Sequence, residues 1–237
     1  MGPEPLPLAH DDIHLWSANL DLPAGEVATL AGCLSPDERD RAARFHFERD
    51  RRRFVVGRAT LRIVLSRYGS GEAAARLRLR YGAQGKPALD RAQARHEPPI
   101  EFNLAHSQEL VLIAVAAGRA LGVDVEFVRP IDDLEGMARQ VCTTDELRSL
   151  LGMPTALRGE AFLRCWTRKE ACLKAIGTGL SFPLEHVQVG CTADAPEPPG
   201  WTLHDLRPAP GFLGALVTRR GACRITRFGF DARHPTI

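Results

Sequence analysis

"GVDVE" at residues 122–126, continued by "FVRP" at 127–130, sets two carboxylates, Asp124 and Glu126, into a stretch that alternates like a β-strand. Side chains at i and i+2 of a strand share one face and lie close together. Val123, Val125 and Phe127 then occupy the other face and belong to a core. Two carboxylates this close repel unless water or a cation separates them. A solvated strand face accounts for the pattern taken alone. A cation site needs a third acid and an anionic group to share the metal.

Downstream, "GEAFLRCWTRKEACLKAI" (159–176) is the strongest helical pattern in the chain, and the "GTG" after it predicts a glycine-terminated end. Its Glu170 is the third acid. Trp166, Glu170, Leu173 and Lys174 fall on or near one side of this helix. Glu170 and Lys174 at i, i+4 make an ordinary surface ion pair. Trp166 and Leu173 beside them should be buried, which places the pair at the edge of a cleft. A site of carboxylates with open positions suits Mg²⁺, which keeps waters and binds substrate phosphates.

Upstream, "IEFNLAHSQELVLIAVAAGRALGVDVEFV" predicts a short strand ending near Asn103, a strand over 110–116 and a third over 121–127, with Gly118-Arg119 as the hairpin turn between the last two. His106 follows the first of these in a polar turn with Asn103 and Ser107. Lys86 is presented in the turn "AQGKPAL" (83–89). Residues 39–53, "RDRAARFHFERDRRR", hold seven arginines. With Lys86 and His106, Arg41, Arg49, Arg52 and Arg53 are candidates for phosphate contact.

The remaining pattern predicts an early strand in "DIHLWSANL" and a helix in "LSPDERDRAARF", with Ser35 as N-cap, Pro36 at its first position and Glu38 closing a capping box. A second helix covers about 49–67, and "ARLRLRYG" reads as a strand. Helices over about 132–141 and from Thr144, a candidate cap, lead into the long one. The tail reads as strands at "HVQVG", "WTLHDL", "GALVTR" and "CRITRFGF". The class is α+β, mixed sheets packed against long helices. The order of elements suggests two similar halves, 1–120 and 121–237, with a junction near residue 120.

The 237 residues are 44% hydrophobic and 25% charged, ordinary globular composition. No apolar run approaches a membrane span, no secretory signal is visible, and Leu6 does not fit a myristoylation signal. The six cysteines, Cys33, Cys142, Cys165, Cys172, Cys191 and Cys223, contain no CxxC pair. They read as small buried thiols of a protein in a reducing cytoplasm rather than as zinc ligands. A nucleic-acid-binding role for the arginine-rich helix is disfavoured: its arginines alternate with acids, the net charge is only +2, and aromatic residues are few.

"GRATLR" (57–62), "GKPAL" (85–89), "FNLAHS" (102–107), "GVDVE" (122–126) and "WTRKEACLKAIGTGL" (166–180), in this order, resemble the 4′-phosphopantetheinyl transferases, specifically the longer two-lobed, surfactin-synthetase-activating type. "LSPDERDRAARF" matches more loosely. The resemblance implies two similar α+β lobes related by a pseudo-twofold axis, with the active site between them. It implies transfer of the phosphopantetheine arm of coenzyme A to a serine of an apo carrier protein, releasing adenosine 3′,5′-bisphosphate. By motif position, Asp124, Glu126 and Glu170 would hold Mg²⁺ against the pyrophosphate. His106 would touch the pyrophosphate, Lys86 would lie near the phosphates, and Arg53 and Arg41 would supply basic groups for the 3′-phosphate. Lys174 would be catalytic, and Lys169 belongs to the same motif. Glu170, or a metal-bound water it holds, would take the serine proton.

Two positions depart from the family pattern: Ala105 replaces a serine beside the histidine, and Glu38 stands where a basic residue is usual. A protein that binds coenzyme A or a carrier without transfer is the competing reading, and the intact Asp124, Glu126, Glu170 and Lys174 argue against it. With both lobes in one chain, a monomer is expected. "PTALRGEAF" (154–162) and the helices around 132–151 are the candidate surface for the carrier.

Overall fold

The structure is a computed structural model describing residues 6–68, 73–82, 85–90, 93, 96–177, 183–194 and 197–233. The α+β expectation holds. The strands are β1 (Asp12–Asn19), β2 (Leu79–Tyr81), β3 (Pro87–Leu89), β4 (Ile100–Ser107), β5 (Leu110–Ala117), β6 (Leu121–Phe127), β7 (Trp201–Leu206), β8 (Phe212–Arg219) and β9 (Arg224–Gly229). The helices are α1 (Ala24–Ala31), α2 (Pro36–Ala43), α3 (Glu48–Ser66), α4 (Leu134–Val141), α5 (Thr144–Leu151) and α6 (Thr155–Ile176). One sheet runs β4-β5-β1-β9, a second β6-β8-β7, and β2 pairs with β3.

The two larger sheets lie back to back between outer helices. Ile13, Leu15, Leu112, Ala114 and Ala116 of the first sheet pack against Leu121, Val123, Val125 and Leu216 of the second. The outer face of the first sheet, through Trp16, Val111, Ile113 and Val115, meets α3. The outer face of the second, through Leu213, Ala215 and Val217, meets α6. A strand buried on both faces has no polar side to alternate with, which is why β5 reads "LVLIAVAA" and is buried throughout.

The chain does not turn back on itself at Gly118-Arg119 as a hairpin. Gly118 does take positive φ, +62°, but β5 pairs with β4, and β6 pairs with β8 in the other sheet. The real hairpin joins β4 to β5 through Gln108, at φ +48°. A glutamine in that conformation carries no turn signal in sequence. The segment "HVQVG" forms no strand either; it follows a single 3₁₀ turn, Leu184–His186. Beyond the amides of His186 and Val187, which close the 3₁₀ turn, several backbone groups here go to side chains. Arg168 donates to the carbonyls of Val189, Gly190 and Thr192, Lys169 to those of Leu184 and Val187, and Glu146 accepts from the amides of Val189 and Gly190. Three buried ionic side chains here do the work of a neighbouring strand. The cap of α5 is Thr143, one residue before the expected Thr144. Helix α1 was not anticipated. The terminal strand β9 lies parallel to β1, so residues 224–229 belong to the first sheet although the rest of the chain after 120 builds the second.

Glu38, the unusual acid of α2, is a buried structural residue. Its Oε2 accepts from Nε of Arg62 at 2.5 Å, and the Arg62 guanidinium also donates to the carbonyls of Ala74 and Leu77. Both side chains are nearly inaccessible. Removing one partner of such a pair leaves an uncompensated buried charge. Glu38→Ala is expected to lower the unfolding free energy by about 3–5 kcal/mol, seen as a lower denaturation midpoint at unchanged slope. A loss under about 1 kcal/mol would show that the carbonyl bonds, which are worth that much each, suffice for Arg62.

Candidate active site

The pleat of β6 aims Gly122, Asp124 and Glu126 at α6. A Cβ on Gly122 would overlap the carbonyl oxygen of Ala171 and the amide nitrogen of Ala175. Glycine is required here so that strand and helix can touch backbone to backbone. That approach lays Glu170 and Lys174 over the acids of the strand. Lys174 Nζ donates to Asp124 Oδ1 at 2.7 Å and to the Val123 carbonyl at 3.3 Å. Asp124 Oδ2 and Glu170 Oε1 are buried and have no hydrogen-bond partner. Glu126 Oε2 accepts from the Ser107 hydroxyl at 2.9 Å, and that hydroxyl accepts from the Phe127 amide.

Burial pushes the Asp124 carboxyl up to about 7; Glu126 and Glu170 add to the shift, and the Lys174 ammonium opposes it. Burial also raises Glu170, with Lys174 again opposing and Glu126 reinforcing. Two buried acids, Asp124 and Glu170, that both resist ionisation beside a third carboxylate lack positive charge. Their oxygens do not form a closed cage: among the described residues, the only group of three or more such ligands with all donor atoms within 4.8 Å is Cys142, Cys165 and Cys191. Buried, unpartnered oxygens on Asp124 and Glu170 with Glu126 alongside fit a hard cation that keeps part of its water shell.

The edge strand β4 joins this acidic corner to a basic one. On one face its Asn103 Oδ1 accepts from the Val123 amide at 2.9 Å, and Ser107 holds Glu126. On the other, His106 faces α3 across a cavity of about 580 Å³ lined by Arg41, Phe45, Arg49, Arg53, Phe54 and Arg58. Arg41 and Arg58 both lie over the Phe54 ring, at 5.3 and 5.8 Å. Arg53 makes two bonds to Asp21, at 2.7 and 2.6 Å. His106 is lowered by desolvation and by Lys174, against the pull of Glu126, with Arg53 and Arg58 adding to the lowering. It therefore feels both corners, and in its neutral form can donate one hydrogen bond to an anion.

The residues singled out from the sequence divide. Asp124, Glu126, Glu170 and Lys174 come together. Arg41, Arg53 and His106 share the basic cavity. Lys86 does not enter that cavity; its Nζ donates to the Lys174 carbonyl at 2.7 Å and approaches the Leu121 carbonyl at 3.5 Å, anchoring the end of α6 to the start of β6. Lys169 does not face the cleft. It is fully buried, paired with Glu146 at 2.7 Å, and closed in by the Leu184 and Val187 carbonyls, so all three of its donors are already engaged. Ala105 is buried in the layer between the sheets, opposite His106, so a hydroxyl at this position would point away from the basic cavity. Arg58, not among the residues singled out from the sequence, also lines the cavity, one turn after Phe54 on α3.

A profile of the 4′-phosphopantetheinyl transferase superfamily matches residues 120–207, and one of the 4′-phosphopantetheinyl transferase N-terminal region matches residues 23–118. The chain is 38% identical over 219 residues to the 4′-phosphopantetheinyl transferase HetI of Nostoc sp., covering 91% of each protein. It is 30% identical to the 4′-phosphopantetheinyl transferase Sfp of Bacillus subtilis over 66% of each. It is 29% identical to the L-aminoadipate-semialdehyde dehydrogenase-phosphopantetheinyl transferase of Xenopus laevis, over 69% of this chain and 56% of that one. With an acidic corner and a basic cavity joined by one strand, with both family profiles matched and with one relative of this name aligned over 91% of its length, the chain belongs to the 4′-phosphopantetheinyl transferases.

Proposed function

We propose that this enzyme transfers the 4′-phosphopantetheine arm of coenzyme A to a serine of an apo acyl or peptidyl carrier protein, with Mg²⁺ held by Asp124, Glu126 and Glu170, and releases adenosine 3′,5′-bisphosphate. The observation that carries this reading is the pair of buried, unpartnered oxygens on Asp124 and Glu170 beside an arginine-lined cavity large enough for part of a nucleotide. Bound there, the ion would neutralise pyrophosphate oxygens that otherwise repel a nucleophile.

The chain's own groups supply the rest. Arg41, Arg53 and Arg58 attract the coenzyme phosphates, and His106 holds the pyrophosphate between the two corners. The serine oxygen forms its bond to the phosphorus that carries the pantetheine arm. The bond from that phosphorus to the bridging oxygen breaks, and the electron pair leaves with the adenosine bisphosphate. Glu170, whose carboxyl burial makes more basic, takes the serine proton. Lys174, 2.7 Å from Asp124, stabilises the charge on the departing phosphate. Residues 1–120 provide the coenzyme side and residues 121–237 the acids and the catalytic helix. A monomer therefore suffices, working in the cytoplasm, where free thiols persist. The carrier docks on α4, α5 and residues 154–162, where Met137 and Leu157 are exposed.

Incubating the chain with coenzyme A, Mg²⁺ and several apo carriers, then weighing the carriers by mass spectrometry, should reveal a phosphopantetheine adduct that chelation of Mg²⁺ suppresses. No adduct on any carrier would defeat the proposal. Arg53→Ala should weaken use of coenzyme A by roughly tenfold or more, the worth of one charge-assisted hydrogen bond, with far less effect on 3′-dephospho-coenzyme A. Equal losses on both substrates would remove Arg53 from 3′-phosphate recognition.

A further inference from the structure

Cys142, Cys165 and Cys191 come from three separate segments: the end of α4, the middle of α6, and the irregular segment after the 3₁₀ turn. All three are buried, at 5%, 0% and 2% exposure, and all are free thiols. Their sulfurs lie within 4.8 Å of one another. An apolar core needs no such convergence; small aliphatic side chains would fill the same space. Three sulfurs at this spacing can close on one ion with small side-chain movements.

The surroundings restrict which ion. Zinc in structural sites takes four ligands in a tetrahedron. The nearest acid, Glu146, has no lone pair to spare. Its Oε1 accepts from the Val189 and Gly190 amides. Its Oε2 accepts from the Thr143 amide at 2.9 Å and meets Lys169 Nζ at 2.7 Å. The Glu146–Lys169 pair is self-neutralised, so it offers no surplus charge either way. The Cys191 thiol is directed at the Glu146 backbone carbonyl at 3.7 Å, and all three cysteines belong to the apolar core around α6. A site of three soft sulfurs with no fourth donor among the described residues selects ions that are thiophilic and stable with three ligands.

We infer that Cys142, Cys165 and Cys191 form a buried three-thiol site for a soft, three-coordinate ion, the class to which copper(I) and trivalent arsenic belong. With arsenous acid the balance is simple: three S–H bonds and three As–OH bonds break, three As–S bonds form, and three waters leave, with no change in oxidation state. With copper(I), the thiols release protons to the solvent as the sulfurs bind. Either ion would tie α4, α6 and the segment at 191 together, and so stabilise the fold that carries Glu170 and Lys174.

The test uses the full, reduced chain, incubated overnight separately with arsenite, with copper(I) delivered as a weak complex, and with zinc. Native mass spectrometry should find one arsenic or copper atom per chain, with three protons lost for arsenic, and the melting temperature should rise on binding. X-ray absorption on the loaded wild-type chain should count three sulfur neighbours. Cys191→Ala, outside any helix or strand, should abolish the three-sulfur signature, whereas Cys33→Ser and Cys223→Ser should retain it. Binding of neither soft ion would overturn the inference, as would a three-sulfur signature that survives Cys191→Ala. Zinc held as tightly as copper(I) at the same thiols would overturn the three-coordinate assignment. Because the sulfur count is read on the unmutated chain, it stands even if a cysteine variant fails to fold, and it is independent of transferase activity.

Discussion

Asp124→Asn is expected to reduce phosphopantetheine transfer by roughly 10²–10³-fold, the usual cost of deleting one preorganised electrostatic group, while the chain stays folded. Asparagine keeps the shape, and its carbonyl can still accept from Lys174, now at 2.7 Å from Oδ1. What is lost is the negative charge and the second oxygen. Glu170→Gln should match it, because on the proposed mechanism it removes the negative charge that would face the cation and the oxygen that would take the serine proton. Full activity in either variant would take that residue out of the site. The pH dependence gives a second readout. The folded Asp124 carboxyl sits near 7, above its ordinary value of 3.8, so folding favours its protonated form. Its stabilising contribution is complete below about 4 and is lost as pH rises through about 7. The metal-free chain should therefore melt at a lower temperature at pH 8 than at pH 6, and Asp124→Asn should flatten that slope. Adding Mg²⁺ at pH 8 should raise the melting temperature of the native chain and not of the variant. An unchanged slope in the variant would assign the titration to another group.

Lys169→Met should cost about 3–5 kcal/mol of stability, as much as Glu38→Ala, or on the order of 10 °C in melting temperature for a chain of this size. Lys169 and Glu146 are both fully inaccessible. Glu146 is held below the usual carboxylate range: burial works against this, but the Lys169 ammonium and the Val189 and Thr143 amides outweigh it. Methionine fills the volume and leaves the carboxylate without its counter-charge. Adding Glu146→Met should recover only part of the loss, since the amides of Thr143, Val189 and Gly190 would then be orphaned. At low temperature, where the variant is folded, its KM for coenzyme A should be unchanged. A raised KM with the fold intact would return Lys169 to the coenzyme site.

The acids were legible in sequence because strand and helix periods fix which side chains share a face. Asp124 and Glu126 alternate with core valines, Glu170 and Lys174 are one helical turn apart, and both predictions survive any error of a residue or two in element ends. Lys86 and Lys169 were not legible. Each lies in a motif beside candidate site residues, and only the packing shows that the Lys86 ammonium meets the Lys174 and Leu121 carbonyls and the Lys169 ammonium meets Glu146 and the Leu184 and Val187 carbonyls. "HVQVG" alternates like a strand because its valines are buried, but its ladder partners are side chains from distant positions. The three-thiol cluster left no trace in spacing, since its members come from three segments brought together only by tertiary folding. Gly122 carried a signal whose meaning was hidden: its absent side chain is what lets β6 and α6 meet.

The pairing of β1 with β9 also orders events during synthesis. Asp12 and Arg224 bond across 212 positions of chain. Once residue 117 has emerged, β5 can cover one edge of β1; the other edge waits for the last strand. Until then an unpaired row of amides and carbonyls stands open, a template for pairing with a neighbouring chain. A nascent or truncated polypeptide that stops short of residue 224 keeps that open edge, so aggregation during translation, rather than loss of catalytic groups, is the first consequence of losing the final strand.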